Sequence, residues 1–148
     1  MSAESFIDAQ VFVALEDHDN PREQAQARKF LREEGLTGAP WTGANVIGEV
    51  FTALTRRRKN AGKASLPPLL SKKDAAGPVR DLAALPVHPV TREIVLRAVE
   101  LRLRVDWGFF DLVNFATAEA AGCTRFVSRD KAGGRKTLEG IALVDPFR

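Results

Sequence analysis

Residues 106–131 constrain this chain more than any other stretch, because they specify a helix with almost no solvent face. Phe109, Phe110, Leu112, Val113, Phe115, Ala116 and Ala120 surround a helix that begins between Asp106 and Gly108 and closes at Gly122. A helix apolar on nearly every side is buried nearly all round, and a glycine past its end supplies the residue that stops it. Arg125 to Val127 then reads as a short strand, followed by a polar turn. Asp111 and Asn114 are out of place in this setting, since a carboxylate among apolar groups needs a partner. Asn114 lies one helical turn on, and Asp130 stands just past the next strand, so two carboxylates could meet near that strand's end. Asp106 sits roughly 140° round the helix from Asp111 and is expected to cap it instead.

The rest of the chain alternates strands with helices. Ser5 to Ile7 is a short apolar run ending at Asp8, and the spacing from Val11 to Leu15 suits a helix. Asp8 therefore stands at a strand-to-helix junction, as an N-cap or in a functional role; ligands of open α/β sheets bind beyond such strand ends. Asn20 and Pro21 open a surface helix that stops at Gly35, and residues 36–41 form a weak strand interrupted by Gly38 and Pro40. The next helix turns Val46, Val50 and Leu54, with Ile47 and Phe51, toward the core. Glu49 borders that stripe and, taken alone, reads as a solvent-directed flank residue. Residues 61–65, Pro67-Pro68 and residues 74–77 are rich in breakers and read as loops around a short helix at 69–73. Residues 81–87 read as a strand. Thr91 then opens an amphipathic helix with Ile94, Val95, Ala98 and Leu101 inward and Arg97, Arg102 and Arg104 outside, and after Gly133-Gly134 residues 141–144 form a last strand. This pattern specifies an α/β fold with a mainly parallel central sheet flanked by helices, in a single domain over residues 1–148.

Composition narrows the function classes. The single cysteine, Cys123, excludes an intramolecular disulfide and reads as a buried small residue. No segment approaches the roughly 18 apolar residues of a membrane span, and no basic leader precedes an apolar run, so a cytoplasmic protein without membrane contact is expected. His18 and His88 lack metal-ligand spacing. The net charge of +3 is modest, but the bases cluster: Arg56, Arg57, Arg58 and Lys59 with Lys63, then Arg125, Arg129, Lys131, Arg135 and Lys136. Such clusters serve either as solvated helix ends or as phosphate contacts.

Asp8 and Asp130 follow strand ends, Asp111 lies in the buried helix and Glu49 edges a core helix, so all four could face one point above the sheet. Crowded carboxylates repel and burial disfavours their charged forms, so the arrangement calls for cations. All-oxygen ligands favour Mg²⁺ or Mn²⁺ over zinc. Such ions acidify water and neutralise charge on a phosphate during in-line displacement, which makes phosphodiester hydrolysis the natural reaction, with the basic clusters holding the polyanion.

Phe6-Ile7-Asp8, the helical run from Asn45 through Glu49 to Leu54, Phe110-Asp111 through Ala118 with Gly122-Cys123, Val127-Ser128-Arg129-Asp130, and a tail from Gly140 to Phe147 follow one another in order. Together they resemble the PIN-domain nucleases, and within these the VapC-type toxins of bacterial toxin–antitoxin pairs. The resemblance implies a three-layer PIN-like fold and a ribonuclease with Asp8, Glu49, Asp111 and Asp130 as its metal-binding, catalytic acids. Ser128 and Asn114 would orient those carboxylates, and Arg56, Arg57, Arg129, Lys131, Arg135 and Lys136 would contact RNA. A cognate antitoxin and a second copy of the chain are the implied partners. Two positions depart from the family pattern. Ala9-Gln10 stands where a small hydroxyl residue and then Asn or Ser are common, leaving that hydrogen bond absent or supplied by Gln10, and Lys131 stands where Phe is common. A PIN-like module that holds RNA or protein without cutting is the alternative, and a DNA-directed nuclease a third reading.

Overall fold

The computed structural model describes residues 4–59, 62, 65–131 and 133–148; Lys63 of the first basic cluster lies outside the described residues. In chain order the elements are β1 (Ser5–Ile7), α1 (Ala9–Leu15), α2 (Pro21–Thr37), β2 (Pro40–Gly43), α3 (Ala44–Thr55), the two-residue strands β3 (Arg58–Lys59) and β4 (Ser65–Leu66), α4 (Lys72–Ala83), β5 (Val87–His88), α5 (Arg92–Arg102), α6 (Phe109–Ala120), β6 (Arg125–Val127), β7 (Thr137–Leu138) and β8 (Ile141–Val144). The central sheet has the order β5-β2-β1-β6-β8-β7 and is parallel except for β7, while β3 and β4 pair antiparallel apart from it.

Strand alternation splits the side chains of β1 between two helical layers. On one face Phe6 stacks on Phe126 of β6 with ring centroids 5.6 Å apart, and Phe115 of α6 meets Phe126 edge-on at 5.3 Å. Trp107, just before α6, packs on both Phe115 and Phe126, and α5 lies against α6. On the other face the buried Ser5 hydroxyl donates to Glu34 of α2 at 2.9 Å, and Arg125 of β6 donates to the same carboxylate oxygen at 2.7 Å. The sheet is thus flanked by helices on both sides, as the alternation of elements specifies. Cys123 is buried just after α6, and burial pushes its thiol up to about 11.

The sequence-based expectations need correction at several elements. Residues 112–118 of α6 are buried, but Phe110 is 66% exposed and Ala120 is also exposed, so the first and last turns of this helix do have a solvent face. Asp106 does not cap α6; it is 97% exposed and pairs with Arg102 at 3.4 Å, and Gly108 is the N-cap. A side chain there would crowd Asp111, because a Cβ on Gly108 would lie 3.1 Å from Asp111 Oδ2. Helix α2 runs through Gly35 and ends at Gly38. Residues 74–77 are helical, since Ser71 accepts the Asp74 N–H as N-cap and α4 continues past Pro78, which leaves the Asp74 carbonyl without its usual helical donor. The strand expected over residues 81–87 contracts to Val87–His88. Arg97 is half-buried rather than outside, with two hydrogen bonds to Glu119 of α6, one to Glu100 and one to Glu139. Val95, expected inward, is 38% exposed.

Candidate active site

Strands β1, β2 and β6 are adjacent and parallel, so their carboxyl ends share one edge of the sheet. The chain moves from β1 to β2 on one side and returns to β6 on the other, so β1 and β6 flank a switch point where the topology opens a crevice. Each strand delivers one component. Asp8 follows β1, Ser128 follows β6, and β2 leads directly into α3, which carries Asn45 and Glu49. Helix α6 closes the set from above the sheet with Asp111 and Asn114 on its first turns.

Asp8 is fully buried, and its contacts are all with neutral donors. Oδ1 accepts from the Ala9 N–H and from Asn114 Nδ2, both at 2.9 Å, and Oδ2 accepts from the Ser128 hydroxyl at 2.7 Å. It therefore caps α1 and also belongs to the acidic site, so the two readings of Asp8 coexist. Burial is the largest influence on its carboxyl and raises the pKa; the Ser128 and Ala9 hydrogen bonds and the Lys131 charge oppose the rise, while Asp111 adds to it. Gln10 does not replace the family's hydroxyl hydrogen bond at Asp8: its Oε1 lies 3.2 Å from Ser128 Oγ, whose single proton faces Asp8 at the shorter distance.

Asn114 joins two acids. Its amide donates to Asp8 Oδ1 and, at 2.6 Å, to Glu49 Oε1. Asn45 donates to the same Glu49 oxygen and to Asn114 Oδ1, each at 3.1 Å, which fixes which way the Asn114 amide faces. Glu49 is thus turned inward to the site rather than to open solvent. Burial chiefly raises its pKa, the Asn114 hydrogen bond lowers it, and the charges of Asp8 and Asp111 raise it again. Asn45 went unrecognised in the sequence, although its position four residues before Glu49 places both on one helix face. Asp111, partly exposed, receives Lys131 Nζ at 3.3 Å on Oδ2.

Asp130 makes its contacts with the C-terminal segment. Its backbone adopts φ 52°, its side chain is exposed, and Oδ1 accepts from Arg148 at 2.9 Å. Of the basic residues, Arg56 and Arg129 line an open groove of about 710 Å³ that also contains Gln10, Asn45, Glu49 and Phe110. Arg129 is held by Glu23 and by the ring of Phe147, 4.4 Å from its guanidinium carbon. Arg57 donates to Ser65, while Arg135 and Lys136 are exposed.

The donor set fits a hard cation. Asp8, Glu49 and Asp111 offer oxygen alone, and each of the first two has its proton affinity raised chiefly by burial and further by the charge of Asp111. Among the described residues, however, no three acids, histidines or cysteines gather closely enough to form a ligand set by themselves. The groups meeting Asp111 and Glu49 are an ammonium and two amides, and among the described residues no side chain donates to Glu49 Oε2.

A family model described as PIN domain matches residues 5–136. Among solved structures the chain is similar to Mycobacterium tuberculosis VapC20, described as a Sarcin-Ricin loop cleaving toxin, with TM-score 0.67 and 19% identity over 94% of this chain and 99% of that one. It is also similar to a toxin–antitoxin complex from Klebsiella pneumoniae, with TM-score 0.67 and 16% identity over 97% and 98% of the two chains. A third likeness is to VapBC2 from Rickettsia felis bound to a DNA fragment from their promoter, with TM-score 0.66 and 14% identity over 95% and 97%. At these identities the likeness is one of fold. No curated protein matches the chain in sequence.

Proposed function

This chain belongs to the PIN-domain family, and on that premise we propose that it is a Mg²⁺- or Mn²⁺-dependent endoribonuclease, the toxin half of a toxin–antitoxin pair. The observation that supports this reading best is the joining of Asp8 and Glu49 through Asn114 beyond the ends of adjacent parallel strands, beside a groove lined by Glu49, Arg56 and Arg129. Asp8, Glu49 and Asp111 would hold the ion, with Asp130, two residues past Ser128, the fourth acid the family resemblance implies. A divalent ion held there would supply Lewis acidity for phosphodiester hydrolysis.

The protein's own groups do the rest. Ser128, Asn114 and the Ala9 N–H hold the Asp8 carboxylate in one orientation while donating no net charge, so its negative charge stays available. Asn45 and Asn114 both donate to Oε1 of Glu49, and among the described residues no side chain donates to its other oxygen. Arg56 and Arg129, with Arg57, Lys131, Arg135 and Lys136, place positive charge for the RNA backbone, a contact that carries no sequence information. The toxin–antitoxin neighbours support a cognate antitoxin as partner, and the family resemblance implies a homodimer acting in the cytoplasm; among the described residues no helix is long and apolar enough to cross a membrane.

Asp8→Asn and Asp111→Asn are each expected to lower metal-dependent RNA cleavage by about a hundredfold or more, with circular dichroism unchanged. Cleavage retained in both variants sinks the assignment. One observation favours a second reading, a catalytically weak module that binds RNA or protein: Lys131 already neutralises Asp111. Calorimetry with Mn²⁺ separates the two, because a pure binding module has no need of the ion to engage RNA.

A further inference from the structure

Lys131 is a base seated among acids. Its Nζ lies 3.3 Å from Asp111 Oδ2, and the two side chains are only 18% and 25% exposed. The other bases proposed to meet RNA stand elsewhere: Arg56, Arg57, Arg135 and Lys136 are exposed, and Arg129 is engaged by Glu23 and Phe147. The turn that carries Lys131 is held in place, since Asp130 takes a left-handed φ of 52° and its N–H donates to Asp145 Oδ2 at 3.1 Å. The ammonium also acts beyond its direct partner, opposing the burial-driven rise in proton affinity at both Asp8 and Glu49. One positive charge thus serves three carboxylates drawn from β1, α3 and α6.

We propose that Lys131 is the built-in counter-ion of this site: its ammonium takes the cation position at Asp111 in the metal-free protein and thereby sets how tightly a divalent ion is held. An incoming ion must displace the ammonium or bind beside a like charge, and either route weakens binding. A unit charge a few ångströms away in a half-buried site changes such an affinity by about tenfold or more. The same ammonium keeps the acids together before the ion arrives, because carboxylates left without a counter-charge repel. This inference rests on reading the acids as a metal site. An ordinary structural ion pair would contribute to stability equally with and without metal, and that difference makes the two roles separable.

The test compares the full chain with Lys131→Gln and Lys131→Arg by calorimetric titration with Mn²⁺ and by thermal melting in EDTA and in Mn²⁺. Lys131→Gln is expected to bind Mn²⁺ about tenfold or more tightly, to melt lower than the unsubstituted chain in EDTA, and to gain more from Mn²⁺. Lys131→Arg, which keeps the charge, is expected to follow the unsubstituted chain in both. Folding of Lys131→Gln only when Mn²⁺ is present also supports the proposal, since the ion then replaces the lost charge. Equal Mn²⁺ affinity in Lys131→Gln and the unsubstituted chain overturns the counter-ion role and leaves the metal site standing. Failure of Lys131→Gln to fold with or without Mn²⁺ makes the residue structural and overturns it too. Absence of Mn²⁺ binding in every chain overturns the metal reading along with it.

Discussion

Asn114 holds the acidic site together at the scale of single side chains. Its two amide hydrogens go to carboxylates on different elements, Asp8 after β1 and Glu49 on α3, while its carbonyl oxygen is fixed by Asn45. Truncation to alanine leaves Asp8 Oδ1 with the Ala9 N–H alone and Glu49 with Asn45 alone, in a place that is fully buried around Asp8. Asn114→Ala is therefore expected to lower the unfolding free energy by about 1–3 kcal/mol, the usual range for a buried polar group deprived of its partner. Urea denaturation at neutral pH in EDTA measures this, and a loss within error of zero would mean the bridge contributes nothing. Asp8, Asp111 and Asn114 stood out in the sequence because each is a polar residue interrupting or ending an apolar pattern, whereas Glu49, a flank residue when taken alone, entered only through the family resemblance. Asn45 did not stand out, since an asparagine near a helix start has the ordinary reading of a capping residue. The lodging of Lys131 was also hidden, because a lysine in a Gly-rich polar turn reads as solvated until the turn's direction is known.

Among the elements, α5 shows a stripe without a partner. Val95, Leu96, Val99 and Leu103 are exposed on and just past it, Leu103 by 85%. The ends of the stripe carry opposite charges: Arg92 opens the helix, and Asp106 lies beyond its far end, both highly exposed. An antiparallel pairing of α5 with a second copy about Val99 would set Val95 against the partner's Leu103, so the face is self-complementary in apolar surface. The face is a place to test the proposed homodimer. Val99→Glu buries a charge at its centre and is expected to weaken the dimer by about a hundredfold or more, measured by light scattering across a dilution series; a dimer that persists in Val99→Glu places the contact elsewhere. The elements themselves were legible to different degrees for physical reasons. Helix α3 and strands β1 and β6 followed from apolar spacing, since burial dictates both spacing and position. Helix α4 did not: Gly77 and Pro78 signal a break, yet the Ser71 cap and the burial of Ala75 and Leu82 override that local preference. Strand β7 is two residues long and owes its place to pairing with β8 across the turn at Gly140, a tertiary cause that leaves no periodicity.

For the whole molecule, a buried carboxyl with a raised pKa couples folding to pH. Native Asp8 holds its proton more strongly than the unfolded chain does, mainly because of burial. The native state then binds more protons in the interval above the ordinary value of 3.8, and stability attributable to Asp8 falls as pH rises through that interval and levels off above it. Asp111 from α6 acts in the same direction on Asp8, and Lys131 opposes it. Asp19, whose pKa the Arg58 hydrogen bond lowers, makes the opposite contribution, so the expected result is a difference. In EDTA, Asp8→Asn should gain stability relative to the unsubstituted chain as pH rises from acid to neutral, read from urea midpoints. Parallel pH curves for the two chains would show that Asp8 does not titrate in this range.

The sheet order also has a consequence in time. Strand β1 lies between β2 and β6, and its partners in β6 stand 120 residues along the chain, Ser5 beside Arg125 and Ile7 beside Val127. The Asp8 N–H donates to the Val127 carbonyl at 2.9 Å, so the acid is seated by that same distant pairing. Contacts so far apart close late, because the chain entropy of the intervening loop must be lost before any pairing energy is gained. Helices α5 and α6, neighbours in sequence, can pair well before that. During synthesis, then, a chain can hold much of its helical structure while its acidic site is still open, and Asp8 is brought to Asn114 and Ser128 only after β6 has been made.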